Sequence, residues 1–145
     1  MTAFVVDASV AVKWCLPPAG EPFVAEAARL LESYGRRQAD FLVPDFFWAE
    51  IGNALWKAVR KGRISRPEAA SALQVVRDLE IPSFPCADLL PRAFEIALTH
   101  DRTVYDSLYV ALAVQSGAEM ITADERLANA LAAHLPVKWL GAFGY

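Results

Sequence analysis

A chain of 145 residues that is 55% hydrophobic is long enough to bury a core and too apolar to be disordered. Its formal net charge of −3 argues against a general polyanion binder, and no apolar run approaches the roughly 20 residues that span a bilayer. The stretch before Asp7 lacks the leading basic residues of a signal peptide, so residues 1–145 read as one cytoplasmic domain with no membrane segment.

Ala3–Val6 predicts a short strand buried on both faces. Ser9–Trp14 predicts a brief helix, stopped by Leu16-Pro17-Pro18-Ala19-Gly20. Helical periodicity runs over Phe23–Arg37, and Phe41-Leu42-Val43 reads as a second strand closed by Pro44. Asp45 is placed to cap a helix over Phe46–Lys61, with Gly62 as its stop. Ser65-Arg66-Pro67-Glu68 is a capping box opening a helix to about Leu79. Glu80–Phe84 is a candidate short strand interrupted by Pro82. Helices follow over Leu89–Thr99 and Val104–Gly117, then a strand over Glu119–Thr122, a helix over Asp124–Ala133 and a last strand over Val137–Leu140. Strands alternating with helices imply an α/β fold on a parallel sheet.

Four acids stand against apolar runs: Asp7 after the first strand, Glu50 inside an apolar helix, Asp106 in Tyr105-Asp106-Ser107-Leu108, and Asp124 in Ile121-Thr122-Ala123-Asp124. Burying carboxylates is costly unless they are paired, and a divalent cation would account for all four at once. Ligands of open parallel sheets sit outside the carboxyl ends of the strands, where Asp7 and Asp124 both fall. Each acid also has a purely structural account. Asp7 and Asp124 could be helix N-caps, Glu50 could belong to a surface ion-pair ladder, and Asp106 could serve the helix dipole in a first turn behind Thr103. Asn53, Lys57 and Lys61 continue the edge of Glu50 at three- and four-residue steps, within a basic run of Lys57, Arg60, Lys61, Arg63 and Arg66. That run is either a solvated helix end or a nucleic-acid face. Cys15 and Cys86 lack metal-ligand or framework spacing and read as reduced thiols. His100 and His134 lack the pairing of a zinc site, and no Gly-rich phosphate loop is present.

The stretches Val5-Val6-Asp7-Ala8-Ser9-Val10, Glu50-Ile51-Gly52-Asn53-Ala54-Leu55, Leu98 to Ala113 with its Tyr-Asp-Ser-Leu-Tyr core, and Met120-Ile121-Thr122-Ala123-Asp124 together resemble PIN-domain proteins. More narrowly, they resemble the toxin component of VapBC toxin–antitoxin pairs. The resemblance implies a PIN-like domain, with a central parallel five-stranded sheet flanked by about seven helices. It also implies a Mg2+- or Mn2+-dependent ribonuclease, a homodimer, and a cognate VapB-like antitoxin that obstructs the site. The family's four acidic positions match Asp7, Glu50, Asp106 and Asp124. On that reading Asp7 and Asp106 ligate the metal directly, Glu50 and Asp124 hold bound waters or a second ion, and Ser9, Asn53 and Thr122 support them. Lys57, Lys61 and Arg63 become candidates for RNA-backbone contact. Trp48, Trp56 and Val59, on another side of the Glu50 helix, are either core or a dimer or antitoxin surface. Three rival readings stay open: a phosphatase of the haloacid dehalogenase type, disfavoured because Ser9 stands where it needs a second Asp; a PIN nuclease of RNA processing without a toxin role; and a non-catalytic binding module.

Overall fold

The computed structural model describes residues 2–144. Five parallel strands, β1 (Thr2–Val6), β2 (Ala39–Pro44), β3 (Ser83–Phe84), β4 (Glu119–Thr122) and β5 (Val137–Trp139), form one sheet in the order β3-β2-β1-β4-β5. Among the described residues seven α-helices connect or flank them: α1 (Ala8–Cys15), α2 (Val24–Gly35), α3 (Phe47–Arg60), α4 (Arg66–Asp78), α5 (Cys86–His100), α6 (Val104–Ser116) and α7 (Glu125–Leu131). This is the parallel α/β architecture the sequence predicts.

The chain runs outward from β1 to β2 and β3, then returns past β1 to β4. Strand order therefore reverses between β1 and β4, which opens a crevice at their carboxyl ends. Register fixes what faces that crevice. Val6 pairs with Ile121, so Asp7 and Thr122 come level one residue later, and the Asp7 N–H donates to the Ile121 carbonyl at 3.1 Å.

A continuous core backs the crevice. Phe4, Val5 and Val6 of β1 are all buried, as a strand covered on both faces requires. From Ser107 to Ala113 α6 is buried without interruption, packing on α5 and across β1, β2 and β4. Phe41 is sandwiched between Trp14 and Tyr34, at ring separations of 5.8 and 4.4 Å. The polar ends of both partners are satisfied, the Trp14 indole by the Ala27 carbonyl and the Tyr34 hydroxyl by the Leu79 carbonyl, each at 2.8 Å.

Local signals held where the partners are sequence neighbours. Ser65 and Glu68 form the reciprocal capping box at the start of α4, and Gly117 ends α6 with φ +64°. Asp45 does not cap α3. The N-cap is Phe46, which has no side-chain cap, and the Asp45 carboxylate instead accepts the Cys86 N–H at 3.1 Å, tying β2 to the start of α5. The strand expected over Glu80–Phe84 shrinks to Ser83–Phe84, since Pro82 has no N–H to give a ladder. α5 starts three residues earlier than expected and contains Pro91, which removes the intrahelical donor to the Ala87 carbonyl on an exposed residue. The last helix is shorter than expected, Glu125–Leu131, and Cys15 and Cys86 are both free thiols.

One buried ion pair braces this frame. Lys13 Nζ meets Glu21 Oε2 at 3.2 Å, with only 6% and 13% of the two side chains exposed, and Glu21 Oε1 also takes Arg63 at 3.2 Å. Removing the carboxylate strands a buried ammonium, whereas removing Lys13 leaves Glu21 its arginine. Glu21→Gln should therefore cost about 3 kcal/mol in urea unfolding and Lys13→Met distinctly less. Equal losses would contradict this asymmetry.

Candidate active site

A cleft of about 510 Å³ opens at the β1–β4 reversal, and Asp7, Glu50, Asp106 and Asp124 all line it, together with Ser9, Asn53, Lys57 and the small apolar residues Ala8, Val12, Ala49 and Ala54. Each acid arrives on a different element: Asp7 at the β1–α1 junction, Glu50 in the first turn of α3, Asp106 in the first turn of α6, and Asp124 at the β4–α7 junction.

Asp7 is the most constrained. Its Oδ2 accepts the Thr122 hydroxyl at 2.7 Å and the Ser9 hydroxyl at 2.8 Å, while Oδ1 accepts the Ser9 N–H at 3.5 Å as the cap of α1. Both hydroxyls are in turn oriented by backbone: the Ala123 N–H donates to Ser9 Oγ and the Asp124 N–H to Thr122 Oγ1, each at 3.1 Å. One carboxylate oxygen thus holds the loops after β1 and β4 together. Glu50 is held through Tyr109, whose buried hydroxyl donates to Glu50 Oε1 at 2.6 Å and receives the Ala8 N–H at 3.4 Å. Asp124 Oδ1 caps α7 by accepting the Leu127 N–H at 3.1 Å. Thr103 caps α6 by accepting the Asp106 N–H. The capping geometries foreseen for Asp7, Asp106 and Asp124 are therefore real, and they leave carboxylate oxygens over. Among the described residues no hydrogen bond occupies Glu50 Oε2 or Asp124 Oδ2.

The electrostatics follow from crowding in a partly dry site. Burial raises the Asp7 carboxyl above its usual range; the Thr122 and Ser9 hydroxyls pull it back, and Asp106 pushes it up again. Glu50 is raised by burial, lowered by Tyr109, and raised further by Asp7 and Asp106. Asp106 is also raised by burial, with the Thr103 hydroxyl opposing, Asp124 adding and Arg102 subtracting. A first-turn position offers a carboxylate only about 0.3–1 kcal/mol from the helix dipole. At Asp106 burial and the Asp124 charge act the other way, against the Thr103 hydroxyl and Arg102. Tyr109 is pushed far up by burial and by Asp7 and Glu50, so it stays a donor at any working pH.

The four acids facing the cleft offer only oxygen, and no Cys or His lines it, which suits a hard divalent cation better than a thiolate- or imidazole-seeking metal. Among the described residues no group of three or more His, Cys, Asp or Glu is gathered as a ready set of metal ligands. One or two direct carboxylates with retained waters, the usual habit of magnesium, remain compatible with that spacing. His100 and His134, unrelated in sequence, bring their rings to 6.4 Å without a third ligand.

The other expected residues divide. Ser9 and Thr122 contact Asp7 directly, and Asn53 and Lys57 line the cleft. Lys61 lies just past the end of α3 and lines a neighbouring concavity, and Arg63 is engaged with Glu21. Of the three side chains on the far side of the helix, Trp48 and Val59 pack on the core, whereas Trp56 is exposed. Sequence reasoning did not assign Tyr109. The signal available was a tyrosine three residues after Asp106, on the same helical face.

Residues 4–131 match the PIN domain family. Ribonuclease VapC3 from Pyrobaculum aerophilum is 39% identical over 84 residues, which are 55% of this chain and 63% of that protein, so the match spans less than two thirds of that relative. Ribonuclease VapC12 from Mycobacterium tuberculosis is 36% identical over 126 residues, covering 86% of this chain and 89% of the relative. Among solved structures, VapBC2 from Rickettsia felis, bound to a DNA fragment from its promoter, superposes with a TM-score of 0.65 at 10% identity, covering 95% of this chain and 98% of that one. The last likeness is one of fold; the family match and VapC12 settle kinship, and this chain belongs to the PIN domain family.

Proposed function

We propose that this chain, as a single PIN domain, is a divalent-metal-dependent ribonuclease that acts as the toxin of a toxin–antitoxin pair. The observation that carries the reading is the meeting of Asp7, Glu50, Asp106 and Asp124 in one cleft at the strand reversal. VapC3 and VapC12 are ribonucleases by name, and VapBC2, which shares the fold, is a two-component assembly by name. A VapB-like antitoxin and a second copy of the chain are the partners this reading assigns, and the cytoplasm the compartment. Among the described residues no helix is long and apolar enough to cross a membrane.

Mg2+ or Mn2+ would suit the site; Asp7 and Asp106 would hold it directly, and Glu50 and Asp124 would reach it through water or hold a second ion. When bound, the ion supplies charge stabilisation at the phosphoryl oxygen and a lowered pKa for water. The chain's own groups do the positioning. Ser9 and Thr122 fix Asp7 Oδ2, which leaves Oδ1, with one weak hydrogen bond, as its freer ligating atom. Tyr109 fixes one Glu50 oxygen, and among the described residues the other accepts no hydrogen bond and stays available. Lys57, at the rim, meets the phosphate backbone, with Lys61 farther along; such contacts position RNA without reading bases.

The reading is tested by incubating total RNA with the protein and magnesium beside an Asp7→Asn variant. The variant should fold and lose activity by more than the 10–100-fold typical of outer-shell partners. Equal cleavage by both proteins would remove Asp7 from the catalytic machinery. Lys57→Ala combined with Lys61→Ala should flatten the slope of log affinity against log salt by up to about 1.4, two phosphate contacts on a single strand. An unchanged slope would leave the basic strip without a substrate role.

Proton linkage gives an independent check without RNA. Asp7, Glu50 and Asp106 have folded-state pKa values raised above ordinary carboxylates. Their contribution to stability is full below the unfolded range near 4 and is lost as pH rises through the raised folded values. In the metal-free protein, acidification toward the ordinary carboxylate range should therefore add stability from this cluster. Magnesium at pH 7 should do the same by mass action, about 2.7 kcal/mol at a hundredfold excess over its dissociation constant, and much less at pH 5. A melting temperature indifferent to magnesium at both pH values would favour acids that serve only as caps.

A further inference from the structure

Beyond the cleft, α3 carries two surface side chains, Trp56 and Arg60, that the catalytic reading does not use. Trp56 is 52% exposed, and the Arg60 guanidinium lies 5.1 Å from the centroid of its ring. With Lys57 and Lys61 they line a second concavity of about 380 Å³. Lys57 also lines the acidic cleft, so the two depressions adjoin through that one side chain. At 1.5 Å of rise per residue, Trp56 sits about 9 Å along the helix from Glu50.

The neighbours of Trp56 decide what it suits. Among the described residues none of Lys57, Arg60 and Lys61 is in an ion pair. The centre of a protein–protein interface favours tryptophan and arginine but is depleted in lysine, and here two lysines flank the pair. Single-stranded nucleic acid wants this combination: an aromatic face on which a base stacks, and cations spaced along the adjoining phosphates. Arg60 sits over the indole and helps to hold its orientation, leaving exposed ring for a ligand.

We infer that Trp56 and Arg60 form a stacking platform for a base of single-stranded RNA, with Lys57 and Lys61 holding the phosphates that lead from it into the cleft. This rests on the ribonuclease reading and adds to it a subsite outside the acids.

The test uses the full chain carrying Asp7→Asn, so that RNA is bound without being cut, and a short fluorescein-labelled single-stranded oligoribonucleotide of mixed sequence. Adding Trp56→Ala should weaken binding about tenfold, the alanine cost of one stacked base, while leaving the salt slope unchanged because no charge is lost. Trp56→Phe should keep affinity within about threefold, since it keeps a π-face. Wild-type affinity in Trp56→Ala would overturn the platform. So would a loss of affinity accompanied by a change in self-association in sedimentation, because Trp56 would then be a contact between protein chains. If RNA is neither cut by the wild type nor bound by Asp7→Asn, the ribonuclease reading fails and the platform with it. Cleavage and binding that ignore Trp56→Ala remove the platform alone.

Discussion

The site depends on one buried carboxylate oxygen. Asp7 Oδ2 lies where β1 and β4 end level with each other, and it accepts two hydroxyl hydrogen bonds of 2.7 and 2.8 Å from Thr122 and Ser9. Hydrogen bonds to an ionised acceptor contribute about 1.5–3 kcal/mol each, against several kcal/mol for taking an unpaired carboxylate out of water. Two such bonds offset much of the burial without erasing it, which is why the Asp7 pKa remains raised despite them. The arrangement also works outward. Ser9 and Thr122 can donate to Asp7 because each accepts a backbone N–H from the Ala123–Asp124 turn. The charge of Asp7 therefore orders the loop that presents Asp124.

Capping and chemistry are compatible in this cleft, although the sequence sets them up as rivals. A carboxylate has two oxygens and about four lone-pair sites, whereas a cap uses one. Asp124 spends Oδ1 on the first turn of α7, and Asp7 gives Oδ1 only a long bond to Ser9. The cap fixes the side chain's rotamer, so less conformational entropy is lost when the remaining oxygen meets a ligand. Glu50 has no cap to serve. Its fixation comes from Tyr109, which is itself tied to the Ala8 N–H, so α3, α6 and the β1–α1 junction meet at a single hydroxyl.

How much of this was legible depends on sequence distance. The Ser65–Glu68 box, the Thr103 cap and the β4 boundaries follow from neighbours within four residues, and the local pattern carries them. Asp45 failed as a cap because its carboxylate found the Cys86 N–H, 41 residues away, a competitor no local rule can see. The Tyr109–Glu50 bond spans 59 residues, and the Glu21–Arg63 contact that draws Arg63 away from the cleft spans 42. The helical wheel grouped Trp48 with Trp56 and could not tell them apart. What divides them is α4, which packs on α3 and leaves Trp48 beside Leu73 and Arg77, while Trp56 faces outward.

The charge distribution carries the same lesson at larger scale. Net charge of −3 and a cleft lined by four acids would repel a polyanion, yet Lys57, Arg60 and Lys61 stand together on the adjoining helix surface. At physiological ionic strength the Debye length is about 8 Å, so a phosphate chain on the strip is screened from most of the protein's distant acids and responds to the nearest cations. The strip sits within roughly one to two of those lengths of Glu50 along α3. A phosphate there feels attraction from the strip and repulsion from the unneutralised cleft, with opposite signs over a comparable range. With RNA on the strip as proposed, any neutralisation of the carboxylates, whether by protons or by a cation, would tighten it. By reciprocity, RNA on the strip must then favour neutralisation of the carboxylates by the same free energy.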